Sequence, residues 1–339
     1  MAEQAVRWSR IRGIVTVALC APLLTLPLFC RAAETDPLWA RSQAPVKSLM
    51  LSPIARPTEF HPGEWQLALS VNPASIFATD KDPNNPDLPY QFELDYYTVE
   101  YRVDLRYNPS ERWQISGSYA HRTTDDAHLD QLTLSFHKLF GLDQNGRTKV
   151  PKHRYLIDLI ESGQRLEDFG GETFAHQFEL AASFLAYRYF RHQLAVTLST
   201  QYNDQRYLQR RGSEWDGGLQ LDYSYEWRDH RLNALVAYTH TGADQLLGSA
   251  TRKDLGHFGL GYRYRITPRH FLFTEYLISQ GALRDLGAFN DPVHEANLGY
   301  RYQRGELGLD FVMMQNALNA DNSADIAFNF RLSYRFDAD

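Results

Sequence analysis

The sequence predicts an all-β fold, a transmembrane antiparallel up-and-down β-barrel, and three observations predict it. The first is the last strand. In residues 325–336, Ile326, Phe328, Phe330, Leu332, Tyr334 and Phe336 alternate with Asp325, Ala327, Asn329, Arg331, Ser333 and Arg335. Side chains alternate faces along a strand, so one face is apolar for its full length and the other is polar. A strand of roughly 9–11 residues with an apolar outside and a polar inside is the unit of a membrane barrel. The second observation is that this pattern recurs along the chain. The third is that short and long connections alternate, as expected when tight turns face the periplasm and long loops face outward.

The elements follow in order. Arg7, Arg10 and Arg12, the apolar run 13–29 and the small residues after Cys30 read as a signal peptide, residues 1–33. Both cysteines, Cys20 and Cys30, lie in it, so the mature chain is expected to have no disulfide and no thiolate metal site. Residues 34–63, with Pro37, Pro45, Pro53, Pro57 and Pro62, read as an irregular periplasmic segment that could enter a barrel from below. The barrel is expected over 64–336. Strands are expected at 64–74, 97–107, 112–121, 193–204, 218–227, 231–240, 255–266, 294–303, 306–315 and 325–336, with 173–189 and 270–280 ambiguous in phase. Phe92, Leu94 and Tyr96 run in the opposite phase to Val99, Tyr101 and Val103, which suggests a bulge at Tyr96-Tyr97. The total is 12 strands; counting 153–163 and part of 122–140 would make 14.

Five links are short, around Pro109, Arg191, Asp229, Pro268 and Gly305. The others, 75–90, 122–172, 205–216, 241–253, 281–292 and 316–323, are long and polar. Trp113, Tyr189, Trp227, Phe271 and Tyr302 flank the short turns, where an aromatic girdle belongs. The chain carries 20 Tyr, 19 Phe and 6 Trp, a load that suits two such belts. Phe336 near the C-terminus resembles the assembly signal of outer-membrane proteins, which implies the barrel assembly machinery and outer-membrane lipid as partners and the bacterial outer membrane as the address. Mean hydropathy is −0.46, and no second stretch reaches the 18 or so apolar residues of a spanning helix. A net charge of −6 without a basic stripe gives no sign of nucleic acid.

The link 122–172 stands apart. Leu129, Leu132, Phe136, Leu139 and Phe140 are spaced as one face of an amphipathic helix over 127–141, with Asp126 to cap it and Gly141 to end it. Such a helix on an extracellular loop would need a surface to cover its apolar stripe. It can lie against the outer rim or cover a cap, or it can plug or gate the lumen. Because the barrel mouth is the nearest concave surface, the plug is the favoured reading. Tyr155, Ile157 and Leu159 then read as a short strand or lip.

Within this link, Phe136-His137-Lys138-Leu139-Phe140-Gly141-Leu142 followed by Asn145-Gly146-Arg147 resembles a segment of a bacterial outer-membrane family known as domain of unknown function 3187. Asp36-Pro37-Leu38, with Arg41, Gln43 and Pro45, resembles that family's opening. The likeness covers most of the mature chain and departs after Tyr155. It implies a barrel and an outer-membrane address and carries over no catalytic residue or cofactor.

Candidate site residues are the charges on the polar strand faces: Glu100, Arg102, Asp104, Arg106, Asp222, Glu226, Arg263, Arg265, Arg301, Asp310, Arg331 and Arg335. They can pair across strands and rigidify a lumen, or form a charged constriction that selects solutes. An enzyme has little support. Lipid hydrolases built on barrels pair a His with a Ser two residues on, and none of the 12 histidines is so placed. His121-Arg122-Thr123 comes nearest, and His294-Glu295 has no partner at a metal-ligand spacing. The expected function is therefore a channel or transport component for a small solute or lipid. A structural envelope protein with a closed lumen is the competing class, and a lipid-modifying enzyme the third.

Overall fold

A computed structural model describes residues 36–81, 88–125, 129, 151, 153–318 and 322–337. The signal-peptide assignment lies outside the described residues. So does most of the helix expected over 127–141, including Leu132, Phe136, Leu139 and Phe140.

The strands are β1 (Glu64–Thr79), β2 (Phe92–Ser110), β3 (Trp113–Thr123), β4 (Leu156–Leu159), β5 (Gln164–Glu167), β6 (Thr173–Tyr189), β7 (His192–Gln205), β8 (Arg211–Trp227), β9 (His230–Leu246), β10 (Ser249–Ala250), β11 (Asp254–Thr267), β12 (His270–Ser279), β13 (Val293–Arg304), β14 (Leu307–Asn316) and β15 (Ile326–Asp337). Leaving out the short β4, β5 and β10, twelve strands pair antiparallel with their chain neighbours. β15 pairs with β1 from Glu64↔Asp337 to Ser75↔Ile326, which closes the wall. A closed sheet leaves no unpaired edge, the condition a β structure must meet in lipid. β4 and β5 form a hairpin that pairs only with the long-loop end of β2, so they add no wall strands and the count is 12 rather than 14.

Exposed and buried side chains alternate along the wall strands. Leu67, Leu69, Val71, Leu219, Leu221, Leu260, Leu309 and Phe330 are exposed on the outer face, while Arg102, Asp104, Asp310 and Arg331 are buried inside. Phe330→Arg is expected to cost about 2–4 kcal/mol of barrel stability, because a cation would then face hydrocarbon. Urea titration of the heat-modifiable band would measure it.

Three expectations are corrected. No bulge interrupts β2 at Tyr96-Tyr97: its register with β1 runs unbroken from Trp65↔Tyr107 to Thr79↔Glu93. Phe92, Leu94 and Tyr96 face inward like Glu100 and Arg102, and the phase changes because the inner environment turns apolar there. Tyr97 faces outward but is covered, with Leu129, Ile326 and Phe328 around it. Second, the links 205–216 and 241–253 are largely strand, since β8 starts at Arg211 and β9 runs to Leu246. Beyond the hydrocarbon, both faces of a paired strand can be polar, so alternation fades while the ladder continues. Third, Phe271 does not belong to the girdle. It is fully buried and lies 5.6 Å under the Arg263 guanidinium inside the barrel.

Candidate functional site

The interior is occupied by the chain itself. Residues 36–60 thread the lumen with almost no regular structure beyond one 3-10 turn at Lys47–Leu49. Nearly all of them are buried. Five prolines between 37 and 62 keep this segment out of a ladder, since proline lacks a donor and fixes φ. Every described hydrogen bond from it to the wall uses a wall side chain, and none joins backbone to backbone.

These ties trace a path. At the short-turn end, Arg301 donates to the Asp36 and Pro37 carbonyls at 2.8 and 3.2 Å. Trp39 Nε1 donates to Asp104 at 3.1 Å, and the Leu38 amide to Glu275 at 3.3 Å. Higher up, Ser42 Oγ donates to Glu295 at 2.9 Å, and Arg122 donates to Gln43 at 2.7 Å. The chain then turns at 44–50 and descends the opposite wall. The Leu51 amide donates to Asp216 at 3.1 Å, Gln220 donates to the Ile54 carbonyl at 2.7 Å, and the Arg56 amide donates to Asp222 at 3.0 Å. Thr58 reaches Gln193 and Ser224 before the chain leaves at Gly63 to start β1. Buried backbone groups must find partners, and an irregular segment finds them in a lumen lined by Gln, Asn, Asp, Glu and Arg.

Two charge clusters pin the segment. The Asp36 carboxylate lies 2.6 Å from Arg106 and 2.8 Å from Arg335. Burial works against its charge, but Arg106, Arg335 and Arg301 outweigh that and hold it well below the usual carboxylate range. The Glu179 carboxylate receives Arg41 from the ascending limb at 2.5 Å and Arg56 from the descending limb at 2.6 Å, with Arg102 of the wall at 3.6 Å. Trp39 packs between Arg56 and Arg106, with their guanidinium carbons 5.5 and 4.7 Å from its ring.

The charges singled out from the sequence divide into two groups. Glu100 pairs with Arg122 at 2.6 Å, Asp310 with Arg301 at 2.6 Å and with Arg331 at 3.4 Å, and Glu226 with Arg231 at 2.9 Å and Arg263 at 3.0 Å. These are cross-strand ties. Arg106, Arg335, Asp104 and Asp222 instead hold the threaded segment, and Arg301 does both. Arg265 sits at the short-turn rim on Asp229, at 2.8 Å.

Several residues escaped the sequence reading. Glu179 and Glu275 fall in the two phase-ambiguous strands, where inward Ala181, Leu185, Phe271 and Phe273 blur the polar face. Those residues are apolar because they pack on the threaded segment; Phe60, for one, sits on Leu185 and Ala195. Arg122 continues the even, inward parity of β3 one step past its expected end. Asp216 lies where strand was read as loop, and Glu295 stands at the start of the strand expected over 294–303 without having been singled out.

Above the threaded segment the lumen is apolar. Val46, Leu49 and Met50 join Phe92, Leu94 and Tyr96 of β2, Ile157 and Leu159 of β4, and loop residues Leu208, Leu283, Leu286 and Phe289 in one buried cluster, which continues down the lumen to Leu38, Phe271 and Phe273. The described mouth is thus capped by hydrophobic contacts, and the passage below it is filled by polar ones. Leu129, the one described member of the expected helical stripe, packs on the outer face against Tyr97, Ile326 and Phe328.

A family model described as Protein of unknown function (DUF3187) matches residues 14–336. The chain belongs to that family. Among curated proteins none matches its sequence. Among solved structures, an outer membrane channel from Pseudomonas putida F1 superposes with a TM-score of 0.52 at 10% identity, covering 82% of this chain and 98% of that one. The P. putida toluene transporter TodX gives a TM-score of 0.39 at 9% identity over 82% of this chain and 91% of its own. A Pseudomonas aeruginosa FadL homologue gives 0.36 at 12% identity over 81% and 90%. The first of these likenesses shows the fold: this member of the family is a closed 12-stranded antiparallel barrel.

Proposed function

We propose that the protein is an outer-membrane channel for a small solute, closed at rest by its own N-terminal segment. The observation that carries this reading is the manner in which residues 36–60 are held. They lie in the lumen on side-chain ties and two charge clusters, with no backbone ladder to the wall. Such a segment can leave without breaking the barrel. It takes the part that the helical stripe at 127–141 suggested for the outer loop. The fold shared with an outer membrane channel supports a transport role. Barrel assembly machinery acting on the Phe336 end and contact with outer-membrane lipid belong to the same reading.

The second reading is a structural barrel with a permanently closed lumen, favoured by the apolar cap at the mouth. A reversible lock separates the two. A Cβ added at Gly299 would lie 2.7 Å from Leu38 Cδ1, which brings the two positions within disulfide reach. Residues 31–339 contain no cysteine to interfere. Leu38→Cys combined with Gly299→Cys should be silent in planar bilayers when oxidised and should regain gated currents on reduction. Equal currents in both redox states would overturn the moving segment. Silence in both states, and in the wild type, would favour the structural reading.

A further inference from the structure

The outer wall carries a second built feature. On the β11–β14 side an open groove of about 810 Å³ runs over the lipid-facing surface, lined by Tyr262, Leu272, Thr274, Leu298, Tyr300 and Phe311 among others. Its floor is low because Thr274 stands between Tyr262 of β11 and Leu298 of β13, where larger outward residues occur elsewhere. Its two sides are matched pillars. The Tyr262 hydroxyl meets His230 Nδ1 at 2.6 Å, and the Tyr300 hydroxyl meets His270 Nδ1 at 2.6 Å. Both hydroxyls point toward the short turns. A tyrosine so placed has its ring in hydrocarbon and its tip at the polar boundary. His230 and His270 therefore mark where the apolar part of the groove ends.

Just beyond that boundary lie cations. All five short turns carry an exposed arginine: Arg112, Arg191, Arg228, Arg269 and Arg304. Three of these, Arg228, Arg269 and Arg304, sit on turns on the groove's side of the barrel, joining β8–β9, β11–β12 and β13–β14. The acids of these turns are fewer, Asp229 and Glu306, and Asp229 is already engaged by Arg265 at 2.8 Å. The groove thus opens downward onto net positive charge at the periplasmic interface.

We propose that this side of the barrel is a binding site for an anionic phospholipid of the inner leaflet. One acyl chain lies in the groove over Thr274, and the phosphate sits at the level of His230 and His270, among Arg228, Arg269 and Arg304. The occupant follows from depth and charge. A groove on the hydrocarbon-facing wall is filled by lipid, and its charged end faces the leaflet on the short-turn side. Arginine forks match phosphate oxygens, and clustered basic residues at a membrane surface select anionic headgroups.

The test is native mass spectrometry of the full-length mature protein extracted from bilayers of phosphatidylglycerol and phosphatidylethanolamine in equal parts. The wild type should retain phosphatidylglycerol severalfold over phosphatidylethanolamine. The triple variant Arg228→Gln, Arg269→Gln, Arg304→Gln should lower phosphatidylglycerol retention roughly tenfold or more, because three surface cations are lost. Thr274→Trp should lower retention of both lipids with the charges intact, because it fills the groove floor. Heat-modifiability would show that each barrel is folded. Equal retention of the two lipids by the wild type, or retention unchanged in either variant, would overturn the site.

Discussion

A barrel lacking residues 36–60 is expected to insert and fold, and to conduct. The wall does not depend on that segment for its backbone pairing: each wall strand is laddered to its neighbours and β15 to β1. What the deletion removes is the lumen's filling and the floor of the apolar cap, since Val46, Leu49 and Met50 belong to the cluster under the mouth. The inner wall left behind is rich in Arg, Asp, Glu and Gln, a surface that water and ions can occupy. Steady currents in planar bilayers and greater sensitivity of cells to bulky antibiotics should follow, with heat-modifiability kept. A folded barrel without current would mean that the mouth closes on its own, and the structural reading would then be the better one.

The parts of this architecture legible in the sequence are those where lipid sets the pattern. Between the girdles, one face of each strand must be apolar, so Leu67-Leu69-Val71 or Phe328-Phe330-Leu332 report the fold directly. Legibility fails where the environment is set by another part of the same chain. The inward Phe271 and Phe273 look like lipid-facing residues, yet each lies under a guanidinium, Phe273 beneath Arg301 at 4.9 Å. Phe92, Leu94 and Tyr96 imitate a register slip because they face an apolar cap rather than a polar lumen. Neither could be assigned without knowing that 36–60 and the loops fill the interior.

The site was half legible for the same reason. Parity alone places Glu100, Arg102, Asp104 and Arg106 inside, and Arg301, Asp310 and Arg331 with them. Parity says nothing about which of them meet one another and which meet a third element. The prolines of 34–63 pointed to an irregular segment near the barrel's lower opening. Its buried residues, such as Trp39 and Leu49, could not be distinguished from an ordinary leader by composition. The stripe at 127–141 offered a more regular signal, and it drew the expectation of a plug away from the segment that fills the lumen.

Glu179→Ala is expected to release the N-terminal segment. This one wall carboxylate holds Arg41 on the way up and Arg56 on the way down, at 2.5 and 2.6 Å, with Arg102 at 3.6 Å. All four side chains are nearly inaccessible, so the substitution leaves three buried cations around a missing anion. Arg102 keeps Asp104 at 3.0 Å; for Arg41 and Arg56, Glu179 is the carboxylate in contact. Removing one partner of a buried pair costs about 3–5 kcal/mol, chiefly through the charge left behind. Here that cost can be relieved without unfolding the wall, because the two cations sit on a segment that can withdraw into water. The loss should therefore appear as withdrawal rather than as barrel melting. Trypsin supplied from the short-turn side should cut after Arg41 or Lys47 in the variant and leave the wild type intact, while the heat-modifiable band stays; Arg56 precedes Pro57 and is no trypsin site. Glu179→Gln, which keeps an acceptor oxygen but no charge, should fall between the two. If Glu179→Ala resists trypsin as the wild type does, the clamp is not what holds the segment, and the weight passes to Asp36 with Arg106 and Arg335.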